Sequence, residues 1–407
     1  MKCRHCAAAL QHTFLDLGYA PPSNAYRSVA DRAAPELTFP LRVMVCERCW
    51  LVQTEDYSRA DELFTEDYAY FSSASSSWLA HARRYTEAVT ARFELGPSSH
   101  VIEVASNDGY LLRNFVAAGI PCLGIEPTAS TATAAEALGI PVRREFFGET
   151  MAAGLAAAGL GADLIVGNNV YAHVPDINDF TRGLRAALKP RGVVTLEFPH
   201  VMRLLEFAQF DTVYHEHYSY LSLYTVSRVF EAAGLRVWDV EELPTHGGSL
   251  RVYGCHAADV RETTPAVGAV LAEEAMRGMQ RLDAYLGFQG RADRIKDDVL
   301  RFLLDAKLRG ASVAAYGAAA KGNTLLNYAG VRGDLLPYVV DAAAAKQGKF
   351  LPGSHIPILA PDVIVERQPD YVLILPWNLK DEVRQQLAPL AARGTKFVTA
   401  VPQLEIA

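Results

Sequence analysis

The sequence of 407 residues lacks any apolar run of the roughly 18 residues that a membrane-spanning helix requires. Its N-terminal stretch, MKCRHCAAALQH, lacks the apolar core of a secretory signal peptide. It also lacks a basic excess, because 39 lysines and arginines stand against 46 acidic residues for a net charge of −7. These absences argue against a membrane partner and a nucleic-acid partner, and they predict a reducing, cytoplasmic location.

Cysteine is scarce as well, but four of the six cysteines form two identical pairs, Cys3-x-x-Cys6 and Cys46-x-x-Cys49. In a reducing compartment, paired thiols indicate a metal ion rather than disulfides. The four thiolates suit a tetrahedral zinc ion, which leaves no ligand position for a substrate. The alternative is four unrelated cysteines. The spacing favours structural Zn²⁺, whose loss should damage folding rather than chemistry.

The chain is too long for one ordinary core. From about residue 100, strand-like runs alternate with helical segments of ten to fifteen residues, and a second alternating block follows near the C-terminus. This alternation is typical of parallel sheets with helices on both faces. The pattern predicts an α/β protein with four parts: an N-terminal zinc-binding module (1–58), a central Rossmann-like domain (59–262), a helical connector (263–308) and a C-terminal Rossmann-like α/β domain (309–407).

Small and polar residues follow the strands of the first block, where a doubly wound sheet binds its ligand. They resemble the class I methyltransferase fold, although Ala105 and Asn107 replace glycines of its usual E-x-G-x-G motif. A surface carboxylate at Glu126 and an NAD site are the alternatives, but no G-x-G-x-x-G fingerprint occurs. The expected cofactor is S-adenosylmethionine, and the residues predicted to bind it are Glu103, Ala105, Asn107, Asp108, Gly109, Glu126, Asn168 and Asn169.

Titratable side chains are concentrated at residues 209–220, QFDTVYHEHYSY. Three interpretations compete: a metal site, a polar loop with hydrogen-bonded histidines, and a general acid–base group in which one imidazole takes a proton. His215 and His217 are the two candidates for that imidazole. Spacing alone leaves the choice between them open.

The order of motifs makes the comparison specific: CxxC…CxxC, then S-N-D-G, G-N-N-x-x-A-H-V, Y-H-E-H and H-G-G-S-L-R. This ordered set resembles the sugar C-methyltransferase family over essentially the whole chain. The resemblance implies methylation at C3 of a nucleotide-linked 4-keto-deoxysugar, with dTDP as the expected nucleotide, as in tetronitrose, mycarose and noviose-type pathways. It implies His217 as the base, and the catalytic residues that it predicts are His217, Glu216, Tyr214, Tyr70 and His173.

In the second block, the segment Y-G-A-A-A-K-G-N-T follows a strand and opens a helix. Helix N-termini with small residues favour phosphate groups; the alternative is a tightly packed helix start with exposed lysines. With the family resemblance, this segment predicts contacts to the nucleotide sugar from Lys321, Asn323, Lys346, Lys349 and His246. O- or N-methylation of a related sugar, and a non-catalytic binding protein, are the other functions that the sequence allows.

Overall fold

The computed structural model describes residues 1–55 and 71–407 and contains three β-sheets. Two of the sheets belong to α/β units, which confirms the predicted fold class. Within the described ranges, none of the helices combines the length and the apolarity that a membrane span requires.

The first sheet is antiparallel, and the second cysteine pair lies in the turn between two of its strands. Its N-terminal strands are β1 (His12–Ala20), β2 (Phe39–Val45) and β3 (Val52–Thr54). The fourth strand, β9 (Ser219–Tyr220), comes from far along the chain and pairs with β3. The sheet of the zinc module therefore includes part of the histidine-rich segment.

The second sheet forms the centre of the chain. Its strands are β4 (Val101–Val104), β5 (Cys122–Ile125), β6 (Val142–Arg143), β7 (Ala162–Asn168), β8 (Leu188–Pro199), β10 (Leu235–Leu243) and β11 (Ser249–His256). The associated helices are α1 (Ser76–Arg92), α2 (Leu112–Ala117), α3 (Ala129–Ala137), α4 (Glu149–Ala157), α5 (Ile177–Ala187), α6 (Val201–Glu206) and α7 (Leu223–Ala232).

The strand order of this sheet is β10-β11-β8-β7-β4-β5-β6. Strands β4 to β8 are parallel, and β10 and β11 are antiparallel additions. The chain runs outward from β4 through β5 to β6 and then returns to the other side of β4 as β7. The order thus reverses between β4 and β7, and this reversal leaves a crevice at the carboxyl ends of the two strands, where open α/β sheets bind ligands.

Polar side chains fix where several helices of this unit begin. Asp176 accepts a hydrogen bond from the backbone N–H of Asp179 at the start of α5. Ser222 accepts the equivalent bond from Thr225 at the start of α7. Such caps satisfy N–H groups that the helix itself leaves unpaired.

The third sheet is built in the same manner. Its strands are β12 (Val313–Tyr316), β13 (Val339–Val340), β14 (Ile358–Leu359), β15 (Tyr371–Ile374), β16 (Lys396–Thr399) and β17 (Glu405–Ile406), in the order β14-β13-β12-β15-β16-β17. Only β17 is antiparallel to its neighbour. The helices of this part are α11 (Ala320–Tyr328), α12 (Asp362–Arg367), α13 (Lys380–Gln386) and α14 (Ala388–Ala391), and those of the segment before it are α8 (Pro265–Met276), α9 (Asp283–Leu286) and α10 (Phe288–Leu308).

One apolar core joins the first sheet, α9, α10 and the third sheet. Phe14 on β1 stacks on Phe288 at 4.7 Å between ring centroids and meets the edge of Tyr285 at 6.0 Å. Leu325 on α11 and Val339 on β13 belong to the same buried cluster. Because apolar burial contributes roughly 25 cal/mol per Å², this shared core fixes the zinc module and the C-terminal unit against each other.

Candidate functional site

The four cysteines of the two pairs converge. The Sγ atoms of Cys3 and Cys49 lie 3.5 Å apart, as do those of Cys6 and Cys46, and all four lie within 4.8 Å of one another. A tetrahedral zinc ion with Zn–S bonds of about 2.3 Å separates its sulfurs by about 3.8 Å. The cluster therefore fits a zinc ion in donor chemistry and in spacing.

Two amide side chains surround this cluster. Gln53 donates from Nε2 to Sγ of Cys3 at 3.2 Å and accepts from the backbone N–H of Arg4 at 2.9 Å. His5, which lies inside the first pair, bonds Asn178 Oδ1 through Nδ1 at 2.8 Å. Asn178 donates in return to the carbonyls of Arg4 and His5. His5 is thus held on α5 rather than directed at the metal position.

The predicted cofactor residues lie at the carboxyl ends of β4, β5 and β7. Glu126 accepts backbone N–H groups of Asn107 and Thr128, both at 2.9 Å. Ala105 and Asn107, which replace glycines, have φ values of 56° and 49°. The loop therefore keeps the left-handed conformation without glycine, at a cost of roughly 1–2 kcal/mol for the alanine. Gly109, with φ 77°, is needed for space as well, since a Cβ there would lie 2.4 Å from Ile140.

Several polar atoms around this crevice have no hydrogen-bond partner among the described residues, although they are buried. They include both amide atoms of Asn168, Oδ1 of Asn169 and Oδ1 of Asp108. Buried polar groups are normally paired, so these atoms fit a polar ligand at the switch point of the sheet. Burial, reinforced by the charges of Glu126 and Asp108, raises the pKa of Glu103 well above its usual 4.5.

His217 is held in one tautomer. Its Nδ1 lies 2.9 Å from the carbonyl oxygen of Thr212, which only accepts, so Nδ1 carries the proton and Nε2 keeps its lone pair. The ring lies 3.9 Å from the Tyr214 ring and 4.6 Å from that of His173, between centroids. Burial lowers the pKa of His217 well below its usual 6.5, and it lowers the pKa of His173 to about 4.

The neighbours of His217 in the sequence lie in different surroundings. His215 bonds the carbonyl of Pro40 through Nε2 at 3.2 Å and meets the edge of Phe39. Glu216 accepts from Nδ2 of Asn24 at 2.8 Å with both carboxylate oxygens. The structure thus brings His217, His173 and Tyr214 together and places His215 against the first sheet. Tyr70 lies outside the described residues.

His246 faces the crevice between β4 and β7 from the loop before β11. Asn169 Nδ2 donates to His246 Nε2 at 3.1 Å, and the Trp78 ring meets the imidazole edge-on at 5.4 Å. Burial lowers the pKa of His246 to about 4, so the ring is neutral at pH 7. The adjacent Gly247 is required where it stands, because a Cβ there would lie 2.5 Å from Trp377 of the C-terminal unit.

Lys321 approaches the same region from α11. Its Nζ donates to Asn378 Oδ1 at 2.7 Å and lies 4.5 Å above the Trp377 ring. Trp377 donates to Oδ2 of the buried Asp211 at 2.7 Å. Burial raises the pKa of Asp211 to about 6, although Lys321 and the Trp377 hydrogen bond oppose the rise. Burial also lowers the pKa of Lys321.

The other predicted substrate residues lie where residues 21–38, between β1 and β2, cover α11. Asn323 donates to the carbonyl of Ser23 at 2.6 Å and is fully buried. Lys346 donates to the carbonyl of Ala318 at 2.9 Å, and Tyr26 donates to the same oxygen. Lys349, which lies between β13 and β14, is half-buried. The side chains of Asn323 and Lys346 thus bond backbone carbonyls, whereas Lys321 bonds the side chain of Asn378.

Three residues of this region were not predicted from the sequence: Asn24, Asp211 and Trp377. Trp377 closely follows β15. The rule that open α/β sheets bind ligands at the carboxyl ends of their strands would therefore have identified it. Asp211 lies within the histidine-rich segment. Asn24 gives no local signal, because its partner Glu216 is 192 residues away in the chain.

Comparison with known proteins matches three parts of the chain. Family models match a zinc binding domain over residues 3–64, a methyltransferase domain over 78–240 and a C-methyltransferase C-terminal domain over 244–402. C-methyltransferase NovU of Streptomyces niveus is 34% identical over 402 residues, which cover 99% of this chain and 96% of NovU.

Solved structures resemble the chain weakly. Magnesium protoporphyrin IX methyltransferase from Synechocystis with bound SAM is 13% identical with a TM-score of 0.33, over 44% of this chain and 81% of that one. The glycopeptide N-methyltransferase MtfA is 15% identical with a TM-score of 0.34, over 44% and 93%. These structural similarities are too weak to identify the family. The family models and the similarity to NovU identify it. The chain belongs to the C-methyltransferase family and is an S-adenosylmethionine-dependent methyltransferase with an N-terminal zinc-binding domain.

Proposed function

We propose that this enzyme methylates C3 of a nucleotide-linked 4-keto-deoxysugar, with His217 as the base. The observation that carries the proposal is the fixed tautomer of His217, whose Nε2 lone pair is available beside His173 and Tyr214. A base of this kind is needed for carbon, because a sugar carbon becomes nucleophilic only after its proton is removed. The ketone at C4 makes the C3 proton acidic enough for an imidazole to take.

In the proposed step, Nε2 of His217 takes the C3 proton, and the C–H electron pair moves into the C3–C4 bond while the ketone becomes an enolate. S-adenosylmethionine supplies the electrophilic methyl group for C3 when it is bound. The imidazolium then returns its proton to solvent. Tyr214, whose ring lies 3.9 Å from that of His217 between centroids, is assigned to the enolate oxygen, where a fixed donor stabilises developing charge. Glu216, fixed by Asn24, orients the segment.

For the cofactor, the proposal uses the crevice between β4 and β7. Glu126 is assigned to the ribose hydroxyls, since a carboxylate at the end of the second strand accepts bonds from both. Asp108, Asn168 and Asn169 supply the unpaired polar atoms. The nucleotide-sugar substrate is assigned to the side formed by Lys321 and His246, because Lys321 lies over the Trp377 ring, and that ring packs against Gly247, the residue next to His246.

The function is tested by deuterium wash-in. The enzyme is incubated in D₂O with a dTDP-4-keto-deoxysugar and without S-adenosylmethionine, and C3 deuteration is followed by NMR. We expect wash-in without the cofactor and, when the cofactor is added, S-adenosylhomocysteine with a product one methyl group heavier. Methyl transfer without wash-in would indicate O- or N-methylation. Absence of both across a panel of keto-sugars would refute the proposal.

The pH dependence of wash-in follows from the lowered pKa of His217. An ordinary histidine loses its basic form below about pH 6.5. A folded pKa below 6.5 keeps Nε2 unprotonated through neutral pH, and the rate is lost only when the pH falls through that lower value. We therefore expect kcat/KM for wash-in to be flat from pH 6.5 to 8. An acid limb with an apparent pKa above 6.5, with the fold intact by circular dichroism, would contradict this.

The assignment of Glu126 predicts a specific loss of cofactor affinity. Glu126→Gln removes the charge and one acceptor, and hydrogen bonds to charged groups contribute about 1.5–3 kcal/mol. We expect the Kd for S-adenosylhomocysteine, measured by calorimetry, to rise about 10- to 100-fold. Glu136→Gln on the exposed face of α3, where Glu136 pairs with Arg144, is the matched control and should bind normally. Equal affinity in both variants would remove Glu126 from the cofactor site.

A further inference from the structure

The zinc module and the histidine-rich segment (209–220) share a β-sheet. Strand β3 of the module pairs with β9, which begins two residues after His217. At the end of β3, the backbone N–H of Thr54 donates to the carbonyl of Tyr218 at 3.2 Å. The Thr54 hydroxyl donates to the carbonyl of His217 itself, also at 3.2 Å. The backbone of the proposed base is thus bonded directly to the zinc module.

Arg4, which lies between Cys3 and Cys6, contacts three parts of this junction. Its guanidinium donates to the carbonyl of Thr54 at 3.0 Å and to that of Pro175 at 2.8 Å. It also lies 5.2 Å above the centroid of the Tyr218 ring. Pro175 closely follows His173 in the chain, so Arg4 spans the β3 end, the residue after His217 and the turn that carries His173.

Gln53 connects this arrangement to the metal ligands. It donates to Sγ of Cys3, and its other amide atom accepts the backbone N–H of Arg4. The backbone N–H of Tyr218 donates to the carbonyl of Ala172 at 2.8 Å, which joins the two histidine-bearing segments. An unbroken chain of contacts therefore runs from the thiolates through Gln53 and Arg4 to His217 and His173.

We propose that Arg4 is a positioning residue that couples the zinc centre to the two histidines. The four thiolates fix the backbone around Arg4, and its guanidinium then fixes the segments that bear His217 and His173. The catalytic part of this inference rests on the proposed role of His217. The zinc domain thereby gains a role in turnover in addition to its role in folding.

The test compares Arg4→Met with Arg48→Met in the full-length zinc-loaded enzyme. Arg48 lies between the two cysteines of the second pair and is exposed, so the same substitution there is a matched control. Arg4→Lys keeps the charge and can donate to one carbonyl. Thr54→Val removes only the hydroxyl bond to His217 and provides a second variant should Arg4→Met fail to fold.

Misplacement of a reacting group by about 1 Å through a substitution away from the reacting atoms can cost about 100-fold in rate. For Arg4→Met we expect one zinc ion per chain, a 10- to 100-fold lower kcat for wash-in, and a KM within about threefold of the parent. Amide hydrogen exchange should accelerate at least tenfold in residues 212–222 and 171–176 and remain unchanged elsewhere. The ring ¹⁵N chemical shifts of His217 should no longer correspond to the Nδ1–H tautomer alone. Arg4→Lys should recover part of each loss, and Arg48→Met should match the parent.

Unchanged exchange and an unchanged His217 signal in Arg4→Met and Thr54→Val would overturn the inference. Faster exchange throughout the chain with a normal kcat would also overturn it, because that pattern would indicate a general loss of stability. The exchange and tautomer measurements need no sugar. Failure of wash-in in the parent enzyme would therefore count against the proposed function, while these two measurements would still decide the positioning role.

Discussion

Replacing His217 by asparagine should slow wash-in of deuterium at C3 by about 10²- to 10⁴-fold, the usual contribution of a positioned general base. The asparagine amide can still donate toward the Thr212 carbonyl, but it cannot take a proton. Binding of S-adenosylhomocysteine should remain within a few-fold of the parent value, since His217 is not among the cofactor residues. Single-turnover NMR and calorimetry measure the two quantities.

His215→Asn is the control that distinguishes the role of His215 from that of His217. His215 bonds Pro40 on the first sheet, and its ring lies against Phe39, so its replacement should disturb packing and leave wash-in within about tenfold. Equal losses in the two variants would show that the segment matters as a structure and not through one base. A larger loss in His215→Asn would transfer the role of base to that residue.

The four-cysteine cluster and the polar crevice between β4 and β7 could be predicted from the sequence because their signals are local. Two Cys-x-x-Cys pairs define a donor set wherever the intervening chain runs. The polar residues after β4, β5 and β7 meet because the carboxyl ends of parallel strands share an edge. The loss of two glycines weakened the motif as a pattern, yet Ala105 and Asn107 adopt the left-handed conformation that the loop requires.

The remainder of the site depends on contacts between distant segments. Residues two positions apart lie on the same side of an extended chain, so alternation does not distinguish His215 from His217. A turn at residues 215–216 instead places His217 against the Thr212 carbonyl and His215 against the Pro40 carbonyl. The contact of Asn24 with Glu216 joins residues 192 positions apart in the chain, because residues 21–38 pack beside both the histidine-rich segment and α11. A shared β-sheet between β3 and β9 also crosses the predicted domain boundary, and no periodicity in the sequence encodes it.

Cys46→Ser should abolish zinc binding and destabilise the fold by several kcal/mol. Structural zinc sites of four protein ligands supply about 10–16 kcal/mol of apparent binding free energy, whereas whole domains are stable by only about 5–15 kcal/mol. Cys3, Cys46 and Cys49 lie in the same buried cluster as Leu51 and Tyr171. Loss of the metal therefore exposes core as well as ligands. Zinc content by mass spectrometry and thermal unfolding with and without added zinc measure the effect.

Cys255→Ser provides the matched control, since Cys255 is fully buried on β11 and lies outside the cluster. A hydroxyl at such a site costs about 1–3 kcal/mol, so this variant should lose some stability but keep one zinc ion and a zinc-dependent Tm. Cys46→Ser should lose that dependence, and the parent treated with a strong chelator should unfold at the same temperature as Cys46→Ser. A Cys46→Ser protein with full zinc content would show that three thiolates suffice, and the zinc contribution to folding would then have to be assigned to those three alone.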